Sequence, residues 1–143
     1  MPTKGQLTGM RGVYLVAAEL ARRGYIASPT SRNAAGADLL VTDLKMKRAF
    51  SVQVKTNAQT LNFWLVGKQA TELASEAYVY VFVNIREKQK GGGEDIRYFV
   101  VPSTVVKRNV LYEKSKTGTE WYSFMRKEAE PFHDKWSVFD EAS

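Results

Sequence analysis

Four polar side chains interrupt apolar segments in the first half of the chain. Glu19 is the only charged residue of segment 12–21, and Asp38 immediately precedes three apolar residues. Gln53 and Lys55 lie two residues apart and alternate with valines. Successive side chains of a strand point to opposite faces, so Gln53 and Lys55 share one face. If the two strands form a hairpin, Asp38 can approach that same face.

These residue types suit phosphodiester hydrolysis, which needs a divalent cation, a placed water and an offset for charge growing on the phosphate. Mg²⁺ or Mn²⁺ would take oxygen ligands from Asp38, the Gln53 side chain and a backbone carbonyl near Val54. Glu19 could hold a metal-bound water or a second ion. Lys55 could orient the attacking water or stabilise the pentavalent phosphate. Each side chain also has a simpler interpretation, as a solvated helix residue, a turn residue or the exposed face of an edge strand.

Composition excludes several other kinds of chemistry. The 143 residues include no cysteine, which removes disulfides, zinc–thiolate sites and cysteine nucleophiles. The only histidine is His133, so a zinc site built from three histidines is excluded. No glycine-rich nucleotide-binding motif and no serine-hydrolase motif occurs.

The positive charge is unevenly distributed. The net charge is +6, and residues 1–75 carry ten Lys and Arg against four Asp and Glu, whereas residues 76–143 are balanced. Localised positive charge favours a polyanionic partner, nucleic acid first, although a basic surface kept for solubility has the same composition. The basic and loop residues predicted to contact DNA are Arg11, Arg22, Arg23, Ser31, Arg32, Asn33, Lys45, Lys47, Arg48 and Lys68.

The elements that must position these residues follow from hydrophobic periodicity and turn signals. Helices are predicted over 6–23, 68–75 and 103–108, and strands over 25–27, 38–42, 49–56, 62–66, 78–85 and 97–101. Gly24 should end the first helix and Ser103 should cap the last. Strand 78–85 is apolar on both faces and should be central, with 97–101 beside it. This order predicts an α/β fold with a mixed central sheet.

The motifs resemble the PD-(D/E)XK nuclease superfamily, especially its small members with a glutamine in the last motif. The similarity extends over about residues 9–103 and includes the helix segment 15–25, Gly-Ala-Asp-Leu-Leu-Val at 36–41 and Val-Gln-Val-Lys-Thr at 52–56. It implies a restriction-endonuclease-like core in α-β-β-β-α-β order, with a mixed sheet flanked by helices. It also implies a metal-dependent site of Glu19, Asp38, Gln53 and Lys55.

Two positions depart from the superfamily pattern. Ala37 stands where the superfamily has its name-giving proline, and Gln53 replaces an acid. The glutamine removes one negative charge, which weakens cation binding. Either Glu19 makes up the difference, or the cation binds only with substrate phosphate, or the site is inactive.

We therefore expect one domain over 1–143, with a core over about 6–108 and an elaboration over 109–143. The expected function is a Mg²⁺- or Mn²⁺-dependent DNA endonuclease in repair, recombination or restriction, acting on double-stranded or branched DNA as a homodimer. Two alternatives stay open: an inactive nucleic-acid-binding or assembly module with the nuclease fold, and a protein whose basic surface meets an acidic protein. No segment has the length of a membrane span or a signal peptide, so a cytoplasmic location is expected.

Overall fold

The computed structural model describes residues 1, 3–31, 37–58 and 60–141, and within them the chain forms two sheets and four α-helices. The helices are α1 (Lys4–Arg22), α2 (Ser103–Asn109), α3 (Arg126–Ala129) and α4 (Val138–Glu141). The strands are β1 (Tyr25–Pro29), β2 (Leu39–Asp43), β3 (Ala49–Ala58), β4 (Phe63–Val66), β5 (Tyr78–Glu87), β6 (Glu94–Pro102), β7 (Leu111–Lys114) and β8 (Glu120–Met125). In this described part of the chain, no helix is both long enough and apolar enough to cross a lipid bilayer.

The central sheet has the order β1-β2-β3-β5-β6 and is mixed. β3 and β5 are parallel, and the other neighbouring pairs are antiparallel. The predicted α/β class, the hairpin of β2 and β3 and the central position of β5 are confirmed. Residues 78–85 of β5 are all buried because both faces of the sheet are covered.

Helix α1 covers one face of the central sheet. It begins at Lys4, two residues before the predicted start, because Thr3 and Gln6 form a capping box. Val16 and Leu20 of α1 pack on Val52 and Val54 of β3. Side chains alternate along a strand, so Gln53 and Lys55 point to the opposite face.

A smaller sheet with the order β4-β8-β7 covers that opposite face together with α2. Trp64 lies at the centre of this layer, packed on Phe82 and Phe99, and its indole N–H donates to the Val83 carbonyl at 2.9 Å. Two strands of this sheet come from residues after 109, where the sequence pattern gave only a weak indication of structure. The C-terminal segment also contributes Trp136 and Phe139 to the core on the α1 side.

Two local predictions are wrong for one shared reason. The predicted helix over 68–75 is a single 3₁₀ turn, Lys68–Thr71, and the N-cap of α2 is Pro102 rather than Ser103. The Ser103 hydroxyl accepts from the Ser75 N–H at 3.0 Å and donates to the Ser75 carbonyl at 2.9 Å. These bonds hold Ser75 outside a helix and leave the hydroxyl unable to cap α2.

Candidate active site

The candidate site lies where β2 begins and β3 continues past it. Leu39 pairs with Val52, and the Asp38 N–H donates to the Val52 carbonyl at 2.8 Å. Asp38 directly precedes β2 and Gln53 directly follows Val52 on β3, so both residues lie at this end of the hairpin.

A backbone hydrogen bond fixes the Asp38 carboxylate. Its Oδ2 accepts from the Val54 N–H at 2.8 Å. The carboxylate therefore takes the place of a backbone carbonyl of β2 as the acceptor for this N–H. Both backbone polar groups of a strand residue point towards the same neighbouring strand, so the Val54 carbonyl also faces the Asp38 side. Carboxylate, amide and backbone oxygens thus gather at one edge of β3.

Asp38 and Gln53 line one cavity of about 400 Å³. Gln53 is only 9% exposed, so the cavity and not bulk water is the main surrounding of its side chain. The other described residues that line the cavity come from α1, the end of β1 and the 3₁₀ turn: Met10, Val13, Tyr14, Pro29, Thr30, Ser31, Ala37 and Gln69.

Lys55 is the next residue after Gln53 on the same face of β3. Burial lowers the pKa of its ammonium group, and the negative charge of Asp38 opposes that shift. Lys55 lines a second cavity, of about 530 Å³, together with Lys4. Lys55 therefore lies between the two cavities, and its ammonium group is close enough to Asp38 for the two charges to interact.

Glu19 is not among the described residues that line this cavity, and its carboxylate pairs with two arginines. Its carboxylate accepts from Arg22 Nε at 3.3 Å and from Arg23 Nε at 3.0 Å. The hydrogen bond from Arg22 lowers the pKa of Glu19 most, and the bond from Arg23 adds to it. The negative charge of Glu19 is therefore compensated locally and is not available to Asp38.

The geometry of α1 explains this placement. At about 100° per residue, Glu19 is rotated by about 140° from the cavity-lining Tyr14. The charge of Glu19 acts on Tyr98 of β6, whose pKa is raised first by burial and then by Glu19. Glu19 thus lies on the flank of α1 that faces β6, whereas the cavity is on the flank that faces β1 and β2.

The donor set fits a hard cation held by few protein ligands. The described residues contain no cluster of three or more His, Cys, Asp or Glu that could hold a metal ion. Asp38, Gln53 and the Val54 carbonyl offer oxygen atoms, which suit Mg²⁺ or Mn²⁺ and not zinc. With a single negative charge, this set would bind a cation weakly until a substrate phosphate adds its own oxygens.

The residues predicted to contact DNA divide between two ends of the molecule. Ser31 lines the Asp38 cavity, and Lys68 precedes the cavity-lining Gln69. Lys45 and Lys47 lie in the turn between β2 and β3, about 17 Å along β2 from Asp38 at 3.3 Å per residue. The Lys45 turn is therefore remote from the cavity.

Four of the remaining predicted contacts are arginines that form ion pairs or hydrogen bonds with other groups of the protein. The last two lie outside the described residues. Arg11 forms a salt bridge with Glu94, and Arg22 and Arg23 pair with Glu19. Arg48 donates to the carbonyls of Phe139 and Asp140. Arg32 and Asn33 lie outside the described residues.

Sequence reasoning missed several residues that line the two cavities. Tyr14 is one turn after Met10 on α1 and is 59% exposed, so an unexplained aromatic on the outer face of a helix was an available signal. Lys4 had no such signal, because the helix was predicted to begin at residue 6. Gln69 had none, since its position depends on the path of the 3₁₀ turn.

The fold is shared with two solved nuclease structures. One is Hjc, a Holliday junction resolvase from Archaeoglobus fulgidus, with a TM-score of 0.50, 11% identity and coverage of 86% of this chain and 93% of that one. The other is the bacterial homing endonuclease I-Ssp6803I, with a TM-score of 0.56, 13% identity and coverage of 96% of this chain and 91% of that one. No protein-family model and no curated protein sequence matches the chain. At these identities the likeness shows a common fold, and the central mixed sheet flanked by helices is that fold.

Proposed function

We propose that the protein is a metal-dependent DNA endonuclease whose active site is formed by Asp38, Gln53 and Lys55. The observation that carries the proposal is that Asp38 and Gln53 line one cavity, with the Asp38 carboxylate held by the Val54 N–H at 2.8 Å. Both structural neighbours bear the names of nucleases, which supports a nuclease function for this fold.

Each of the three residues has a distinct task in this proposal. Asp38 and Gln53 present oxygen atoms to a cation bound with the substrate phosphate, and the Val54 N–H keeps the carboxylate in place. When bound, the cation supplies Lewis-acid stabilisation of the phosphate and favours deprotonation of the attacking water. Lys55 donates to a phosphate oxygen, and its partial burial strengthens that interaction relative to one in bulk water.

Glu19 and the arginines on its flank have no role in this active site. Exposed Ser31 and Lys68 lie beside the cavity and are proposed to hold the DNA backbone there. Cutting both strands of a duplex takes two active sites, so we include a homodimer in the proposal. Light scattering with and without DNA measures the number of chains in the complex.

The decisive experiment measures nicking of supercoiled plasmid and of branched DNA with Mg²⁺ or Mn²⁺. Asp38→Asn and Lys55→Ala are expected to lower the nicking rate by about a hundredfold or more. Asp95→Asn and Lys88→Ala remove one negative and one positive charge in the same way, but at the hairpin between β5 and β6. They should leave the rate unchanged. Equal nicking by the wild type and both site variants would refute the catalytic proposal.

One observation favours a second candidate, a DNA-binding module without catalysis. Asp38 is the single carboxylate among the described residues that line its cavity, because Glu19 is paired elsewhere. Calorimetry that detects no binding of Mg²⁺ or Mn²⁺ in the presence of DNA, together with salt-sensitive DNA binding and no nicking, would establish this alternative.

A further inference from the structure

The second cavity adjoins the candidate active site and has a different character. It contains Lys4, Lys55, Leu61, Phe63 and Leu65, and we call it the Lys4–Lys55 cavity. Lys55 follows Gln53 on the same face of β3, and two residues of a strand span about 7 Å. The two cavities are therefore neighbours along β3.

Much of the lining is apolar and open to solvent. Leu61 is 46% exposed and Leu65 is 49% exposed. Leu65 points outwards because its neighbours Trp64 and Val66 on β4 fill the core, and Phe63 shares its side of the strand. A cavity of about 530 Å³ is large enough for one nucleotide or a similar small molecule.

The charged groups of this cavity are both cationic. Among the described lining residues, Lys4 and Lys55 are the only charged ones, and no carboxylate accompanies them. The Asn57 amide is committed to the Phe63 carbonyl at 2.6 Å and to the Asn84 amide. Thr56 also lines the cavity, and its hydroxyl is buried without a hydrogen-bond partner among the described residues. The cavity therefore offers mainly an apolar surface and positive charge.

We propose that the Lys4–Lys55 cavity holds an unpaired nucleotide of the DNA strand whose neighbouring phosphate lies at Asp38. The flat face of a base is available to Leu61, Phe63 and Leu65 only when that base is unpaired, because a duplex presents phosphates and groove edges. The two ammonium groups complement the phosphates on either side of the base. The preferred substrate is thus DNA with a single-stranded segment at the cut, of any sequence. This inference rests on the proposed DNA endonuclease function.

The test compares two fluorescent DNAs in buffer with a chelator, where binding is measured without cutting. One is a fully paired duplex, and the other is the same duplex with an unpaired flap. Fluorescence anisotropy should show that the wild-type protein binds the flap about fivefold or more tightly, because contacts to the unpaired base add to the phosphate contacts that both DNAs share. The variant Leu61→Ser with Leu65→Ser should bring the ratio of the two Kd values close to one.

A matched variant, Leu44→Ser with Leu73→Ser, removes two exposed leucines elsewhere and should keep the preference for the flap. Circular dichroism shows whether each variant is folded. Lys4→Glu supplies a second test, because it reverses charge at an exposed residue and should weaken flap binding more than duplex binding.

The possible failures are distinct. A wild-type protein that binds both DNAs equally, or a leucine variant that keeps the preference, would overturn the inference and leave the endonuclease proposal standing. Failure to bind either DNA, both with the chelator and with Mg²⁺ added in excess of it, would overturn both. A wild-type dimer that becomes a monomer in the leucine variant would show that a second copy of the chain covers this cavity, which also overturns the inference.

Discussion

Two carboxylates near the central sheet differ in what surrounds them. Asp38 is held by a backbone N–H and faces a cavity, whereas Glu19 is held by two arginine side chains on the other flank of α1. The Asp38 carboxylate therefore has oxygen atoms left to bind a ligand, whereas the charge of Glu19 is already compensated within the protein. Residue type alone thus does not decide which carboxylate belongs to a functional site.

We predict that Glu19→Gln keeps the nicking rate of the wild type, in contrast to Asp38→Asn. Loss of the exposed pairs with Arg22 and Arg23 should lower the free energy of unfolding by at most about 1 kcal/mol. Plasmid nicking and urea denaturation check the two parts. A Glu19→Gln protein that folds normally but no longer nicks DNA would contradict the placement of Glu19 outside the site.

Tyr25 gives a prediction about pH that is independent of the candidate site. Burial, followed by the hydrogen bond to Asp140, raises the pKa of Tyr25 to about 12. In the unfolded chain a tyrosine loses its proton near pH 10, so between these values the folded state binds more protons. The stabilising contribution of Tyr25 is complete below about pH 10 and is lost as the pH rises towards 12.

We therefore expect the free energy of unfolding of the wild type to fall between about pH 10 and pH 12 by more than that of Tyr25→Phe. Urea denaturation at several alkaline pH values measures this difference. Lysines and other tyrosines titrate in both proteins, and the comparison cancels their contribution. Parallel curves for the two proteins would contradict the raised pKa.

At the scale of elements, the contact between α1 and β3 sets the shape of the site. Gly12 is buried against Thr56, and a Cβ at position 12 would lie 1.8 Å from Thr56 Oγ1. Thr56 is β-branched and rigid in a strand, so its side chain cannot turn away freely. A methyl group at Gly12 would therefore push α1 off β3.

We predict that Gly12→Ala lowers the free energy of unfolding by about 2 kcal/mol or more, although alanine favours helices. Gly9 lies in the same helix with open space around it, so Gly9→Ala should raise that free energy by about 0.5–1 kcal/mol. Urea denaturation of the two variants separates packing from helix propensity. Equal stability of both would show that α1 does not contact β3 this closely.

The elements differ in how well local sequence determines them. β3 and β5 were predicted from alternation and from a continuous apolar run, because these patterns follow directly from burial on one or two faces. Asp38 and Gln53 could be brought to one site for a related reason, since the hairpin of β2 and β3 places both residues at the same end. The end of the 68–75 helix could not be predicted, because it depends on Ser103, which is distant in sequence.

Helix orientation was the other limit. Apolar residues recur at helical spacing at positions 7, 10, 13, 17 and 20, but the buried residues of α1 are Gly12, Val16 and Leu20. The pattern also does not indicate which sheet strand lies beside each flank. That choice decides whether Glu19 or Tyr14 faces Asp38, and it depends on how α1 crosses the sheet. The C-terminal strands were missed because β8 pairs with β4, a partner more than fifty residues away.

At the scale of the whole molecule, the lysines of the first half of the chain lie at two ends of the hairpin of β2 and β3. Lys4, Lys55 and Lys68 lie at the end that contains Asp38, and Lys45 and Lys47 lie at the other end of the hairpin. Composition alone treats these lysines as equivalent. If DNA binds across the candidate site, only the first group releases counterions when the complex forms.

The final prediction uses this division. The logarithm of DNA affinity falls linearly with the logarithm of salt concentration, with a slope of about −0.9 for each phosphate neutralised. Lys4→Ala and Lys68→Ala should each make the slope shallower by about 0.9, whereas Lys45→Ala and Lys47→Ala should leave it unchanged. All four substitutions remove one positive charge, so a general effect of net charge would alter the four slopes equally. Fluorescence anisotropy at several salt concentrations measures the slopes. A slope that changes only with the Lys45 and Lys47 substitutions would place the DNA at the far end of the hairpin. That result would remove the basis for a site at Asp38.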